Sequence, residues 1–154
     1  MERILIIGSP CSGKSRLART MGKKLSLPVV HLDKMWWKRG ETALTREEFD
    51  TRLDYVLEKE AWIMDGNFQR TLDRRIQKCD AIVYLDFGRW ECLMGLFQRF
   101  LVRKDRVDWS SVKHIWNYPE SNREVHYTYL AKATHAKTIV LKNRAQVRAF
   151  IQAM

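Results

Sequence analysis

Nowhere in this 154-residue chain does an apolar run approach the ~20 residues that a membrane-spanning helix needs. The apolar stretch at residues 4–7 is four residues long and follows charged Glu2 and Arg3. That is too short for a secretory signal, so a cytoplasmic protein with no membrane partner is expected. Cysteine is scarce. Cys11, Cys79 and Cys92 form no C-x-x-C pair, and their odd number argues against a disulfide framework. No Cys/His spacing suggests zinc. Seven glycines and three prolines leave no low-complexity linker, and no segment repeats. G-x-S-x-G is absent, and His31, His114, His126 and His135 show no spacing of a metal or nucleophile site.

Charge of one sign is in excess. Twenty-eight Lys and Arg against 18 Asp and Glu give a formal net charge of +10. Such a balance favours polyanionic partners, either nucleic acid or phosphorylated small molecules, unless it is only a solvated basic surface. The basic residues are spread along the chain, and no basic tail marks a nucleic-acid arm.

Hydrophobic residues make up 45 % of the chain, enough for a real core. Residues 3–7 read as a buried strand closed by Gly8, and 14–25 as a helix with Leu17, Ala18, Met21 and Leu25 at helical spacing. A second strand is expected at 29–33. Thr45 and Glu48 form a capping box that opens a helix near 46–60. Further strands are expected at 61–66, 81–86 and 137–142, further helices at 89–103 and 144–153, and a short basic helix or turn at 70–78. Residues 104–118 read as basic, Trp-rich and irregular. Ser121 and Glu124 read as a second capping box starting a helix to about 135. Alternating strands and helices predict one α/β domain over 1–154, with a five-stranded parallel sheet and helices on both faces.

Residues 8–15, GSPCSGKS, satisfy G-x-x-x-x-G-K-[ST] between a predicted strand and a predicted helix. Gly8, Ser9, Cys11, Ser12 and Gly13 can curl the backbone so that its N–H groups face phosphate oxygens. Lys14 adds a charge on the β/γ-phosphates, Ser15 ligates Mg²⁺, and Arg16 opens the helix whose positive end faces the same anion. This is a P-loop, and ATP with Mg²⁺ is the expected cofactor. Asp33, Asp65 and Asp86 are expected at the ends of the second, third and fourth strands, where ligands of open α/β sheets bind. They suit Mg²⁺ or the base for an acceptor hydroxyl.

These stretches, with HLD at 31–33, IMDGN at 63–67 and YLDF at 84–87, resemble the nucleoside monophosphate kinase-like P-loop proteins, among them adenylate, shikimate and gluconate kinases. They resemble most a bacterial adenylate kinase-related subgroup labelled DNA topology modulation proteins. Its patterns HLDK-x-x-W, W-I-x-DGN and YLDF-x-R match residues 31–37, 62–67 and 84–89. The resemblance implies a three-layer P-loop fold with an acceptor-binding segment about 33–62 and a lid about 100–122. It implies that Asp33 faces the acceptor, that Asp65 supports Mg²⁺ as well as bordering the acceptor site with Gly66 and Asn67, and that Arg99 precedes the lid on the nucleotide side. The chain departs from adenylate kinases in having Trp36 where they have an arginine, in lacking the proline after D-G-x, and in a displaced Arg70. That argues against AMP as the acceptor. Trp36 and Trp37 are candidates to stack on an acceptor ring or to cover the core.

Arg103 and Arg106 are the candidate lid arginines for the transferred phosphate, with Arg123 a third. The expected activity is phosphoryl transfer from ATP to an unidentified, nucleotide-like small molecule by a monomer or weak dimer. The alternatives are a nucleic-acid-associated ATPase or regulator binding weakly through its basic surface, and a nucleotide-binding module without turnover.

Overall fold

The computed structural model describes residues 1–37, 42–103 and 109–154, those at 103, 111 and 119–121 by backbone alone. Five parallel strands, β1 (Arg3–Gly8), β2 (Val29–His31), β3 (Trp62–Asp65), β4 (Ala81–Leu85) and β5 (Lys137–Leu141), form one sheet in the order β2-β3-β1-β4-β5. The central strands have no polar face. Every residue of β3 and β4 is buried, as is all of β1 after Arg3. A parallel sheet covered on both sides requires this.

Alternation splits the core in two. Leu5, Ile7, Met64 and Tyr84 point to one face, which is covered by α3 (Arg46–Leu57), α4 (Leu72–Lys78) and Leu130 of α6 (Trp109–Lys132). Ile4, Ile6, Ile63 and Val83 point to the other. Helices α1 (Lys14–Leu25), α5 (Arg89–Arg103) and α7 (Arg144–Ala153) cover that face, together with Ile115 of α6. At about 1.5–3 kcal/mol for each large apolar side chain taken from water, the four of β1 hold the two layers together.

The capping box of α3 is present in full. Thr45 Oγ1 accepts from the Glu48 N–H at 3.2 Å, and Glu48 Oε2 accepts from the Thr45 N–H at 2.8 Å. Asn143 caps α7 in the same way, through Gln146 N at 2.9 Å.

Two local expectations are corrected, and a third is refined. The second strand stops at His31, and Leu32–Met35 forms a helical turn, α2, so Asp33 sits on a helix and not at a strand end. The helix expected from Ser121 begins twelve residues earlier, at Trp109, and runs through the part of the irregular stretch from 109 to 118. Burial explains this: Ile115, Tyr118, His126 and Leu130 are inward residues of one helix, so packing sets its length, and the second capping box falls in mid-helix. The segment at 70–78 divides into a 3-10 turn (Gln69–Thr71) and α4.

Candidate functional site

The chain crosses from one half of the sheet to the other at β1, because β2 and β3 lie on one side of it and β4 and β5 on the other. The carboxyl end of such a strand opens onto a crevice. Residues 8–15 occupy it. Gly8 has φ +138°, and a Cβ there would lie 2.3 Å from the Leu85 carbonyl oxygen. Gly13 has φ +94°, which also suits only glycine without strain. Cys11 takes a left-handed φ of +54° without being glycine, at a cost of about 1–2 kcal/mol.

The serine hydroxyls fix the loop's shape. Ser9 Oγ donates to Phe87 O (2.9 Å), and Ser12 Oγ donates to Ser9 O (2.6 Å). No acidic residue occupies the first turn of α1, so the positive end of that helix is uncompensated.

Lys14 folds back into the loop, its Nζ donating to Gly8 O (3.0 Å) and Ser9 O (2.8 Å). Withdrawal from water pushes its pKa down, and the charges of Asp65 and then Asp33 push it up again. Ser15 Oγ donates to Asp65 Oδ2 at 2.5 Å, and the other Asp65 oxygen meets His31 Nδ1. Strand register brings these groups together: Asp65 is the partner of Ile6 on one side and of His31 on the other.

Among the described residues, no group of three or more His, Cys, Asp or Glu side chains could hold a metal ion by itself. The hard oxygens of Ser15 and Asp65 nonetheless fit Mg²⁺, which takes one or two protein oxygens and completes its shell with water and phosphate.

Asn67 clamps the loop from β3. Its Oδ1 accepts from Gly8 N–H (3.1 Å), and its Nδ2 donates to Gly8 O (2.9 Å) and to Tyr118 Oη (2.6 Å). The 66–68 backbone is held in turn by Arg75. This guanidinium is fully buried and donates to the carbonyls of Gly66 (2.8 Å), Asn67 (2.7 Å) and Phe68 (2.8 Å). Burial lowers its pKa to about 9. On the far side, α5 touches the loop at Gly95, where a Cβ would lie 2.1 Å from the Cys11 carbonyl oxygen.

Other candidates lie elsewhere. Arg16 is exposed on the outer side of α1. Asp33 is exposed in the first turn of α2, and its charge reaches Lys14. Trp36 is half-buried against the core: it packs edge-on against Phe49 (5.3 Å between ring centroids) and beside Phe68 (6.0 Å). Trp37 is 54 % exposed. Arg70 is taken up by α3, donating to both oxygens of Asp50 at 2.9 and 2.8 Å, with Arg74 on the same carboxylate. Arg99 is exposed on α5, one turn beyond Gly95. Arg123 is engaged by Asp86 at 2.7 Å, and Tyr127 donates to the other Asp86 oxygen at 2.9 Å. The side chain of Arg103, and Arg106 altogether, fall outside the described residues.

Sequence reading missed four parts of this arrangement. The spacing of His31 gives it no role, and nothing local signals its contact with Asp65. Arg75 looks like any basic residue of an amphipathic helix. The clamp role of Asn67 and the contact from Tyr118 become visible only once two distant segments meet. Gly95 carries a faint signal, a lone glycine inside a helical pattern.

No protein-family model and no curated protein matches the sequence. Solved structures do match in shape. Shikimate kinase from Bacteroides thetaiotaomicron superimposes with a TM-score of 0.61 at 19 % identity, over 99 % of this chain and 95 % of that one. Shikimate kinase from Aquifex aeolicus gives 0.56 at 19 % identity, over 98 and 94 %. The Acinetobacter baumannii enzyme, in complex with shikimate, gives 0.62 at 16 % identity, over 99 and 90 %. At these identities the likeness is one of fold: the chain has the P-loop, nucleoside monophosphate kinase-like α/β fold found in these shikimate kinases.

Proposed function

We propose that the protein is a phosphotransferase that uses ATP and Mg²⁺ to phosphorylate a small-molecule acceptor. One observation carries the reading: Lys14 and Ser15 at the loop share their immediate surroundings with the Asp65 carboxylate, as a bound metal-phosphate would need. The likeness of fold to kinases, one of them holding a small organic ligand, agrees with it.

ATP would supply the γ-phosphoryl group, and Mg²⁺ would neutralise charge on its oxygens. The loop N–H groups and the end of α1 bind the phosphates. Lys14 leaves the carbonyls of Gly8 and Ser9 for the phosphate oxygens, a short swing that exchanges neutral acceptors for charged ones. Ser15 and Asp65 hold the metal. Asp33 takes the proton of the acceptor hydroxyl, and Trp37 covers the acceptor. Residues 33–62 form the acceptor side and 100–122 the lid of a single domain. Arg99, Arg103 and Arg106 bring charge to the phosphates when the lid closes and water leaves.

The test is ADP release across a panel of nucleosides, nucleoside monophosphates and hydroxylated or phosphorylated metabolites. One acceptor should stimulate release, and Lys14→Ala should lower the rate by about 10²–10³ while the melting temperature holds within a few degrees. Undiminished transfer in that variant defeats the assignment.

A nucleic-acid-associated ATPase is the second reading, in keeping with the motifs shared with the DNA topology modulation subgroup. The net charge of +10 favours it. It requires salt-sensitive DNA binding and DNA-stimulated ATP hydrolysis, and a filter-binding assay without retention at low salt removes it.

A further inference from the structure

The outer face of α5 is apolar and open to solvent. Trp90, Met94, Phe97 and Leu101 are 72, 57, 60 and 60 % exposed. Their 4-3-4 spacing is that of a coiled-coil seam and gathers them into one narrow arc of the helix. The opposite side of the same helix is already used, by Cys92 in the core and Gly95 against the P-loop. On α6, Trp109 adds further exposed apolar surface, at 81 %, and Trp116 is 39 % exposed. Trp116 meets Trp90 edge-on at 5.6 Å, and a cleft of about 580 Å³ opens between α5 and α6.

With about 100–200 Å² exposed on each of the four stripe side chains and Trp109, and about 100 Å² on Trp116, the face amounts to roughly 800 Å². A soluble monomer's largest apolar patch is usually ~300–600 Å². About 800 Å² is what each partner contributes to a stable protein interface.

We propose that this face is the interface of a homodimer in which two α5 helices cross antiparallel about a two-fold axis. The stripe alternates ring and aliphatic chain: Trp90, Met94, Phe97, Leu101. Reversed against itself, it sets Trp90 on the partner's Leu101 and Met94 on the partner's Phe97. Each pair then occurs twice, as an isologous interface demands, and each lays an aromatic ring against an aliphatic or thioether chain. A lipid surface needs no such self-matching. The charge of +10 on each copy opposes association, and added salt screens that repulsion while leaving apolar burial intact.

The experiment is sedimentation equilibrium of the full chain from micromolar to hundreds of micromolar, at low and high salt. The expected result is a twofold rise in mass with concentration, at lower protein concentration in high salt. Met94→Glu/Phe97→Glu should stay monomeric throughout, whereas Phe97→Leu should still dimerise, both with unchanged circular dichroism. A mixture of Met94→Cys and Phe97→Cys chains should cross-link on mild oxidation far faster than Trp90→Cys with Phe97→Cys. A monomeric mass at every concentration overturns the proposal. So does a dimer indifferent to the Glu pair. A monomer that instead pellets with phosphatidylglycerol vesicles, and is released by salt, assigns the face to lipid and overturns it equally.

Discussion

The two sides of the crevice are built to different standards. On the P-loop side the loop's carbonyls and side chains are held by many partners, and several have two. Gly8 is held on its N–H and its carbonyl by one asparagine, that asparagine's backbone is held by a buried arginine, and Asp65 is gripped at both oxygens. Across from it, Asp33 stands exposed on a four-residue helix and Trp37 stands exposed just beyond it, and Arg70 is engaged by Asp50. For the proposed kinase, the difference means that the phosphate cradle would exist before any ligand arrives, whereas the acceptor side would be assembled by the acceptor. Preorganisation favours fast, precise chemistry on the donor, and looseness leaves room for selection among acceptors.

Four perturbations sharpen that contrast. The greatest effect is expected from Arg75→Met. It strips three carbonyls of their donor, and a loss of about 3–5 kcal/mol should appear in urea unfolding. Arg75→Lys should recover only a small part of this, because one ammonium cannot span a fork's three acceptors. Next is Asn67→Ala, which frees Gly8. A rise in the KM for ATP together with a stability loss of about 1–3 kcal/mol is expected, with the KM for the acceptor little changed. The reverse pattern would mean that Asn67 serves the acceptor.

Trp37→Ala should leave stability within ~0.5 kcal/mol and raise only the acceptor KM. An unchanged acceptor KM would remove Trp37 from the site. The smallest effect concerns pH. His126 is fully buried between Tyr84 and Tyr118, and burial, then the charge of Lys14, pushes its pKa below the usual 6.5. The unfolded chain gains a proton near pH 6.5 while the folded one does not. Stability therefore declines as pH falls below 6.5 and levels off below the folded pKa. In His126→Phe that shallow slope should vanish from melting curves taken between pH 7 and 5.

Motifs with a local mechanism were legible in the chain. GSPCSGKS requires only a strand before it and a helix after it, and Thr45–Glu48 caps its own helix, so both read correctly from neighbours in sequence. The parallel sheet follows from the apolar runs of β1, β3 and β4, too uniform to have a polar face. What hid was everything decided across the sheet. Trp36 could stack on a ligand or fill the core, and the choice rests with Phe49 and Phe68, 13 and 32 residues away. Arg123 was a candidate for phosphate until Asp86, on another element, claimed it. The length of α6 was misread because Ser121 and Glu124 carry a valid local start signal that Ile115 and Tyr118 override by burial.

The contact of Gly95 with the Cys11 carbonyl carries a mechanical consequence. It bolts the first half of α5 to the nucleotide cradle with no room for even a methyl group. In the proposed kinase, a lid at 100–122 would therefore pivot beyond α5 with the loop as its bearing, so the cradle would stay still while the lid travels.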